Sequence, residues 1–379
     1  MAKRGQNEGS ITKRKDGRWV ARLTVGYEGG RQRRKCIYGR TREEAAGKLA
    51  QALRNRLLGL PVSNDKITFG QYLDKWLEDS VKPSVRPATY YRYTREVRLH
   101  IEPTLGKTRL AKLSPGDIQA LMNRKLKEGL SPASVRHMHA VIRRALGQAY
   151  KWELVPRNVA TLVRPPRVSR YEARTLSSEE AAAFLEAIKG DRLEALYIVA
   201  VALGLRRGEA LALRWQDVGL EAGTLRVSHT LQNLPGGGWN LAEPKSRNSR
   251  RTLGLPQFAL VAVREHRKRQ LEEKLRQGKQ WQDHGFVFTS IIGTPLDGNN
   301  IFKLFKQILK ENGLPDMRFH DLRHSCASLL LAQGVSPRVI METLGHSQIS
   351  LTMDTYSHVM PVLMRDAADK MDAILSGGK

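Results

Sequence analysis

Gly204-Leu205-Arg206-Arg207-Gly208-Glu209-Ala210-Leu211-Ala212-Leu213-Arg214-Trp215 closes the longest nearly unbroken apolar run of the chain, Leu196 to Leu205. That run is about half of what a bilayer span needs, so it reads as a buried helix of a globular core. Arg206 and Glu209 stand three apart and adjoin if the segment is helical, so the carboxylate can hold the guanidinium, or a neighbouring group, in one rotamer. An ordinary surface ion pair is the alternative. Upstream, Ser177 with Glu180 makes a capping box that opens a helix. Downstream, Thr224 to Leu255 reads as one β segment among helices. Residues 172–379 are therefore expected to be mainly helical with a small antiparallel β-sheet.

Three more patches of this region carry chemistry. Pro244-Lys245-Ser246-Arg247-Asn248-Ser249-Arg250-Arg251-Thr252 lies between strand-like runs and reads as a basic β-hairpin. An ammonium on a long stem, such as that of Lys245, can reach into a site and give up a proton; a solvated turn is the alternative. His320-Asp321-Leu322-Arg323-His324 precedes the apolar helix Ala327 to Ala332. On one helical face, His320 and Arg323 would bring a proton-transfer group and a fixed cation to a single phosphate. His320 and His324 resemble half of a zinc helix, but no Glu stands between them as in HExxH and no third ligand is evident, so no metal is expected. Leu344-Gly345-His346-Ser347-Gln348-Ile349-Ser350 is followed by Tyr356-Ser357-His358, with Tyr356 ten residues beyond His346. A phenol with a pKa of about 10 becomes a nucleophile only when a base takes its proton or cations stabilise the phenolate. Together these groups are what metal-free phosphoryl transfer requires: cations for the extra charge on phosphorus, a nucleophile and a proton donor.

The front of the chain reads as two smaller modules. Trp19 to Val25 alternates apolar with polar or small residues, follows the turn signal Asp16-Gly17 and ends before Glu28-Gly29-Gly30, which predicts a hairpin. Arg31 to Tyr38 is a second strand, basic on both faces. Thr41 with Glu44 then opens a helix from Arg42 to Leu58. This ββ(β)α module, residues 1–64, carries Lys13, Arg18, Arg22, Arg33, Arg34 and Lys35 on strands able to lie in a DNA groove; a solvated basic sheet is the alternative. Residues 65–168 read as all helical, with segments Phe69 to Asp79, Pro87 to His100, Ser114 to Glu128 and Ser131 to Trp152. In the last, Val135, Met138, Ile142, Ala145, Leu146 and Ala149 form a core stripe, off which lie Arg136, Arg143 and Arg144. Those arginines and the pair Tyr90-Tyr91 face either phosphates or solvent. The linker from Val163 to Arg170 contains Pro165-Pro166 and favours extended chain.

The 379 residues carry 64 Lys+Arg against 37 Asp+Glu, a formal charge of +27. Residues 1–65 hold +10 of it, 66–171 hold +13 and 172–379 only +4, so the front is a polyanion-binding surface and the back nearly balanced. A field of this size attracts nucleic acids or anionic membranes. No basic amphipathic membrane helix is evident, which favours nucleic acid. Only Cys36 and Cys326 are present, outside any CxxC pairing, so neither a disulfide framework nor a thiolate zinc site is supported. With no apolar signal segment at the amino terminus, a cytoplasmic, DNA-associated protein is expected.

The order Gly-Leu-Arg-x-x-Glu, Pro-Lys-Ser, His-x-x-Arg-His, Leu-Gly-His-Ser, Tyr-Ser-His resembles the tyrosine recombinase, or phage integrase, family. The family's pattern falls on Arg206, Lys245, His320, Arg323, His346 and Tyr356, with Glu209 as an organiser behind them. Residues 65–168 resemble its core-binding (SAM-like) domain, and 1–64 the arm-binding domain of the larger integrases. The resemblance implies a multidomain α+β protein and an enzyme that cuts and rejoins DNA through a 3′-phosphotyrosyl bond to Tyr356. It implies no cofactor. It further implies double-stranded DNA of core and arm type as partner, a homo-tetramer on DNA, and an integrative mobile element as the setting. The sequence leaves open a bending protein or an excisionase as a further partner, and the attachment-site sequence. Two other readings are a type IB topoisomerase, which the arm-binding module argues against, and a non-catalytic DNA-binding regulator, which six chemically competent residues argue against. An apolar stripe, Val362, Leu363, Ala367, Met371, Ile374 and Leu375, would let the terminal helix dock on a neighbouring copy or on its own domain.

Overall fold

The computed structural model describes residues 9–28, 31–57, 67–169, 171, 173–233, 238–244, 247–345, 368–369, 371–372 and 374–376. The chain divides into two compact units, Met1–Arg170 and Tyr171–Lys379.

At the front, β1 (Ser10–Lys13), β2 (Trp19–Glu28) and β3 (Arg31–Gly39) form an antiparallel sheet with β2 in the middle. Helix α1 (Arg42–Leu57) covers one face, where Ala21 and Leu23 pack on Leu49 and Ala52. Its start uses half of the expected capping box. Glu44 N donates to Thr41 Oγ1 at 3.1 Å, but the Glu44 carboxylate takes Arg40 N at 2.7 Å, one residue earlier than the motif predicts. Because strand side chains alternate faces, the six basic residues do not share one surface. Arg22 pairs with Cys36 and Arg34 with Thr24, which makes Arg22 and Arg34 diagonal neighbours on the open face, both exposed. Lys35 pairs with Leu23 and Lys13 with Trp19, so both belong to the face that α1 covers. Arg18 stands in the turn and pairs with Asp16 at 3.0 Å. Arg33 pairs with Gly26, just past a bulge in β2, and its side chain lies outside the described residues.

The helical module comprises α2 (Phe69–Trp76), α3 (Pro87–Glu96), α4 (Glu102–Leu105), α5 (Pro115–Lys127) and α6 (Pro132–Lys151). Thr68, Ser114 and Ser131 accept backbone N–H groups as N-caps, each at an expected helix start. Two helices run further than expected through π-turns, Leu77–Val81 and Val97–Ile101. The second precedes Pro103, which cannot donate to the helical ladder; the wide turn lets the chain go on winding past it. The predicted stripe of α6 is buried, with Phe69, Leu73, Trp76, Ile118 and Leu121 against it. The off-stripe arginines Arg136, Arg143 and Arg144 are all exposed, and Arg144 also packs on Tyr93, 5.4 Å from its ring centre. Tyr90 donates its hydroxyl to Glu78 at 2.6 Å.

In the second unit α7 (Ser178–Ala187) starts at the Ser177–Glu180 capping box, and α8 (Glu194–Ala202) is buried from Ala195 to Val201. The short α9 (Arg207–Leu211) leads to β4 (Val218–Gly219), β5 (Thr224–Val227), β6 (Thr230–Asn233), β7 (Trp239–Ala242) and β8 (Arg251–Gly254). Four helices follow: α10 (Gln257–Gln277), α11 (Gly298–Glu311), α12 (Asp321–Ala332) and α13 (Pro337–Leu344). The strands form two antiparallel groups, β4-β5-β8 and β6-β7. This corrects the hairpin expected at Pro244 to Thr252. The flanking strands β7 and β8 pair with β6 and β5, not with each other, so the segment crosses from one group to the other. Phe184, Tyr197, Phe305 and Phe319 meet edge-on or tilted in the core, with ring centres 5.6 to 6.3 Å apart. A smaller cluster, Ala327, Leu331, Ile340 and Leu344, joins α12 to α13.

Candidate active site

The first arginine patch forms differently from a helical i,i+3 pair. Arg206 is the residue that caps α9 and has extended backbone, φ −67° and ψ 146°. Its backbone N and its Nη1 both donate to the Glu209 carboxylate, at 3.1 and 2.6 Å. Glu209 is only 3% exposed, so the pair is not an ordinary surface ion pair. The Arg206 side chain keeps 38% of its surface open. Arg207 turns elsewhere and donates Nη1 to Gly298 O at 2.9 Å.

Arg323, 2% exposed, reaches across two elements. Nη1 donates to Gly204 O at 2.7 Å and Nη2 to Leu344 O at 2.6 Å, which ties the turn before Arg206 to the end of α13. Gly204 is required here. Its φ is +60°, and a Cβ would meet Leu344 Cδ2 at 2.4 Å. Gly345, at φ +68°, ends α13 in the left-handed conformation and leads into His346.

His320 lies at the start of α12, directly after the buried Phe319, and remains exposed. Partial desolvation, then His324 and the Arg323, Arg206 and Arg318 guanidiniums, push its pKa down to about 4. Every charged neighbour in that set is positive when charged, so the ring is held neutral at pH 7 and can accept a proton. His324 stands edge-on to it with ring centres 5.4 Å apart. An open cleft of about 400 Å³ lined by Arg207, Phe302, Arg318, Phe319 and His320 opens beside the ring. No group of three or more His, Cys, Asp or Glu able to hold a metal occurs among the described residues. Cys326 is buried, which pushes its thiol up to about 12 and leaves it unreactive.

Lys245, His346 and Tyr356 lie outside the described residues, as do Val362, Leu363 and Ala367 of the terminal stripe. The structure brings Arg206, Glu209 and Arg323 together with a residue to which the sequence reading gave no role, Arg251. Its Nη2 donates to Glu209 at 3.2 Å and its Nε to Thr343 O at 2.6 Å. A second overlooked group is Asp321, fully buried, which accepts Arg318 Nη2 at 2.7 Å and the Tyr171 hydroxyl at 3.0 Å. Arg251 meets Glu209 across 42 residues and Asp321 meets Tyr171 across 150, separations to which no spacing rule points.

Residues 174–361 match the family model described as the phage integrase family, and residues 68–126 that of the SAM-like N-terminal domain of phage integrases. A tyrosine recombinase XerC-like protein of Caldanaerobacter subterraneus subsp. tengcongensis is 32% identical over 379 residues, covering 94% of this chain and 97% of that one. The chain belongs to the phage integrase family. It is a tyrosine-type site-specific DNA recombinase with the multidomain α+β fold of such integrases. The ICEBs1 integrase of Bacillus subtilis is 26% identical over 97% of this chain and all of its own. Among solved structures, a Tn1549 transposon integrase in complex with circular intermediate DNA matches with a TM-score of 0.67 at 20% identity, over 81% of this chain and all of that one. A lambda integrase tetramer bound to a Holliday junction matches with a TM-score of 0.57 at 19% identity, over 90% of this chain and 96% of that one. No helix among the described residues is long and apolar enough to cross a membrane.

Proposed function

We propose that this integrase cleaves DNA with Tyr356 and moves a mobile element into or out of a chromosome. The Tyr356 oxygen attacks the scissile phosphorus, the bond to the 5′-oxygen breaks, and a 3′-phosphotyrosyl bond forms. Arg206, Arg323 and His346 stabilise the negative charge of the pentacoordinate phosphorus. Lys245 protonates the leaving 5′-oxygen, and neutral His320 takes the proton of Tyr356. The phosphodiester energy is kept in the tyrosyl ester, so the 5′-hydroxyl of a second duplex reverses the chemistry and completes strand exchange. The observation that carries this reading is the pair of guanidiniums, Arg206 and Arg323, fixed by Glu209 and by backbone carbonyls.

Residues 1–64 bind arm-type DNA, 65–168 bind the core site, and 172–379 perform catalysis. Four copies act on two duplexes, and Met371, Ile374 and Leu375, all exposed, offer part of the apolar face by which the terminal helix docks on a neighbour. The complexes in which the structural relatives were solved, with DNA and as a tetramer on a Holliday junction, support this reading. A bending protein or an excisionase would set the direction, and the protein would work in the cytoplasm.

The test uses duplex DNA from the flanks of the protein's own gene, incubated without added metal or ATP and run on a denaturing gel. Wild type forms a protease-sensitive covalent adduct, whereas Tyr356→Phe binds the same duplex and forms none. A Tyr356→Phe protein that still recombined would overturn the assignment.

A further inference from the structure

Arg251 is the first residue of β8, six positions after Lys245, and its side chain is 7% exposed. Its three nitrogens are all engaged. Nε donates to Thr343 O at 2.6 Å, Nη1 to Ser249 O at 3.2 Å, and Nη2 to Glu209 Oε2 at 3.2 Å. Glu209 gives its other oxygen to Arg206 at 2.6 Å, so one buried carboxylate is shared by two guanidiniums. Thr343 O, which Arg251 takes, adjoins Leu344 O, which Arg323 takes. The last carbonyls of α13, the negative end of its dipole, are therefore closed by two guanidiniums one residue before Gly345 and two before His346. Gly345 also lies close against the loop that follows Lys245. A Cβ there would meet Asn248 O at 2.8 Å and Arg251 Nη1 at 3.0 Å.

We propose that Arg251 is a positioning residue for DNA cleavage, which locks together the three chain segments that carry Arg206, Lys245 and His346. With every donor nitrogen spent on protein acceptors, it acts on the phosphate through those segments. It has two effects. It shares the charge of Glu209, so that the carboxylate orients Arg206 without cancelling its field; among Arg206, Arg251, Arg323 and Glu209 a net charge of two positive units remains for a phosphate that gains negative charge. It also fixes the exit of α13 at Thr343 and Gly345 against Asn248 and Ser249, so that the chain enters and leaves the site from fixed points. A shift of about 1 Å in such an arrangement costs about a hundredfold in rate.

The inference rests on the cleavage chemistry proposed above, and its test keeps the two apart. On the duplex with which wild type forms its adduct, single-turnover cleavage of a nicked version that loses its leaving strand is compared with binding by gel shift and with thermal unfolding. Arg251→Met is expected to slow the covalent step about a hundredfold with affinity within about threefold, and Arg251→Lys, which keeps the charge but not the fork, to recover about tenfold of that loss. Adding Glu209→Gln to Arg251→Met is expected to slow cleavage by no more than about threefold beyond the slower single variant, since the two residues act as one unit. Cleavage by Arg251→Met within about threefold of wild type would overturn the proposal, as would a rate loss matched by an equal loss of binding or a fully multiplicative double variant. If Arg251→Met does not fold, Arg251→Lys decides: slower cleavage with unchanged affinity supports the role, and a wild-type rate ends it. Absence of any wild-type adduct would instead overturn the cleavage chemistry itself.

Discussion

Glu209 sets the terms at the scale of single residues. Burial alone would raise its pKa, but Arg251 and Arg206 outweigh burial and hold the carboxyl below the usual carboxylate range. As pH falls, the unfolded chain therefore takes up this proton before the folded one does. The stabilisation is complete above the ordinary value of 4.5 and is lost as pH drops through the lower folded value. Glu209→Gln, which leaves Arg251 buried without its counter-charge, should cost about 3 kcal/mol at pH 7. The difference in Tm from wild type should shrink as the pH goes below 4.5; an equal difference at pH 3.5 and 7 would disprove the ionic account. Gly204 makes a second prediction. Gly204→Ala places a Cβ 2.4 Å from Leu344 Cδ2 at a backbone conformation of φ +60°. It should destabilise the protein by about 2 kcal/mol and, because Gly204 O holds Arg323, reduce adduct formation more than DNA binding.

At the scale of elements, the site is assembled by the ends of helices. Arg206 precedes α9, His320 precedes α12, and α13 stops at Gly345, where two arginines take its last carbonyls. What holds α13 in place from the other side is the small cluster of Ala327, Leu331, Ile340 and Leu344. Leu331→Ala should leave a cavity there and cost about 3 kcal/mol. Thermal unfolding measures that loss, and at a temperature where the variant is folded its cleavage should fall further than its affinity, because Leu344 O is displaced from Arg323. Helix starts were legible in the sequence since caps are local: Thr68, Ser114, Ser131 and Ser177 each bond three residues ahead. Strand pairing was only partly legible. The alternation at Trp19 marked β2, but nothing near Lys245 indicates that β8 passes the β6-β7 hairpin to join β5. Arg251 was unreadable for the same reason, since its partner Thr343 is 92 residues away. Motif order did show which patches belong together, because the chemistry needs a fixed set of side chains whatever their distance along the chain.

At the scale of the whole molecule, charge separates holding DNA from cutting it. Of the formal +27, residues 1–171 carry +23, and the remainder, which includes every residue of the proposed chemistry, carries +4. Affinity should therefore fall steeply with salt, and the slope should come from the front. Within the amino-terminal sheet the register decides which residues contribute. Arg22 and Arg34 share the open face, while Lys13 and Lys35 belong to the face under α1. If that open face meets phosphates, Arg22→Gln with Arg34→Gln should flatten the plot of log affinity against log salt by about 1.8 on DNA that carries the arm site. Lys13→Gln with Lys35→Gln should change it by less than half as much. Cleavage of a nicked core site without arm DNA should be the same in both variants, because neither pair enters the catalytic unit. Equal flattening by the two pairs would mean that the sheet binds through its edge rather than its open face, and a change in core cleavage would mean that the front does more than hold DNA.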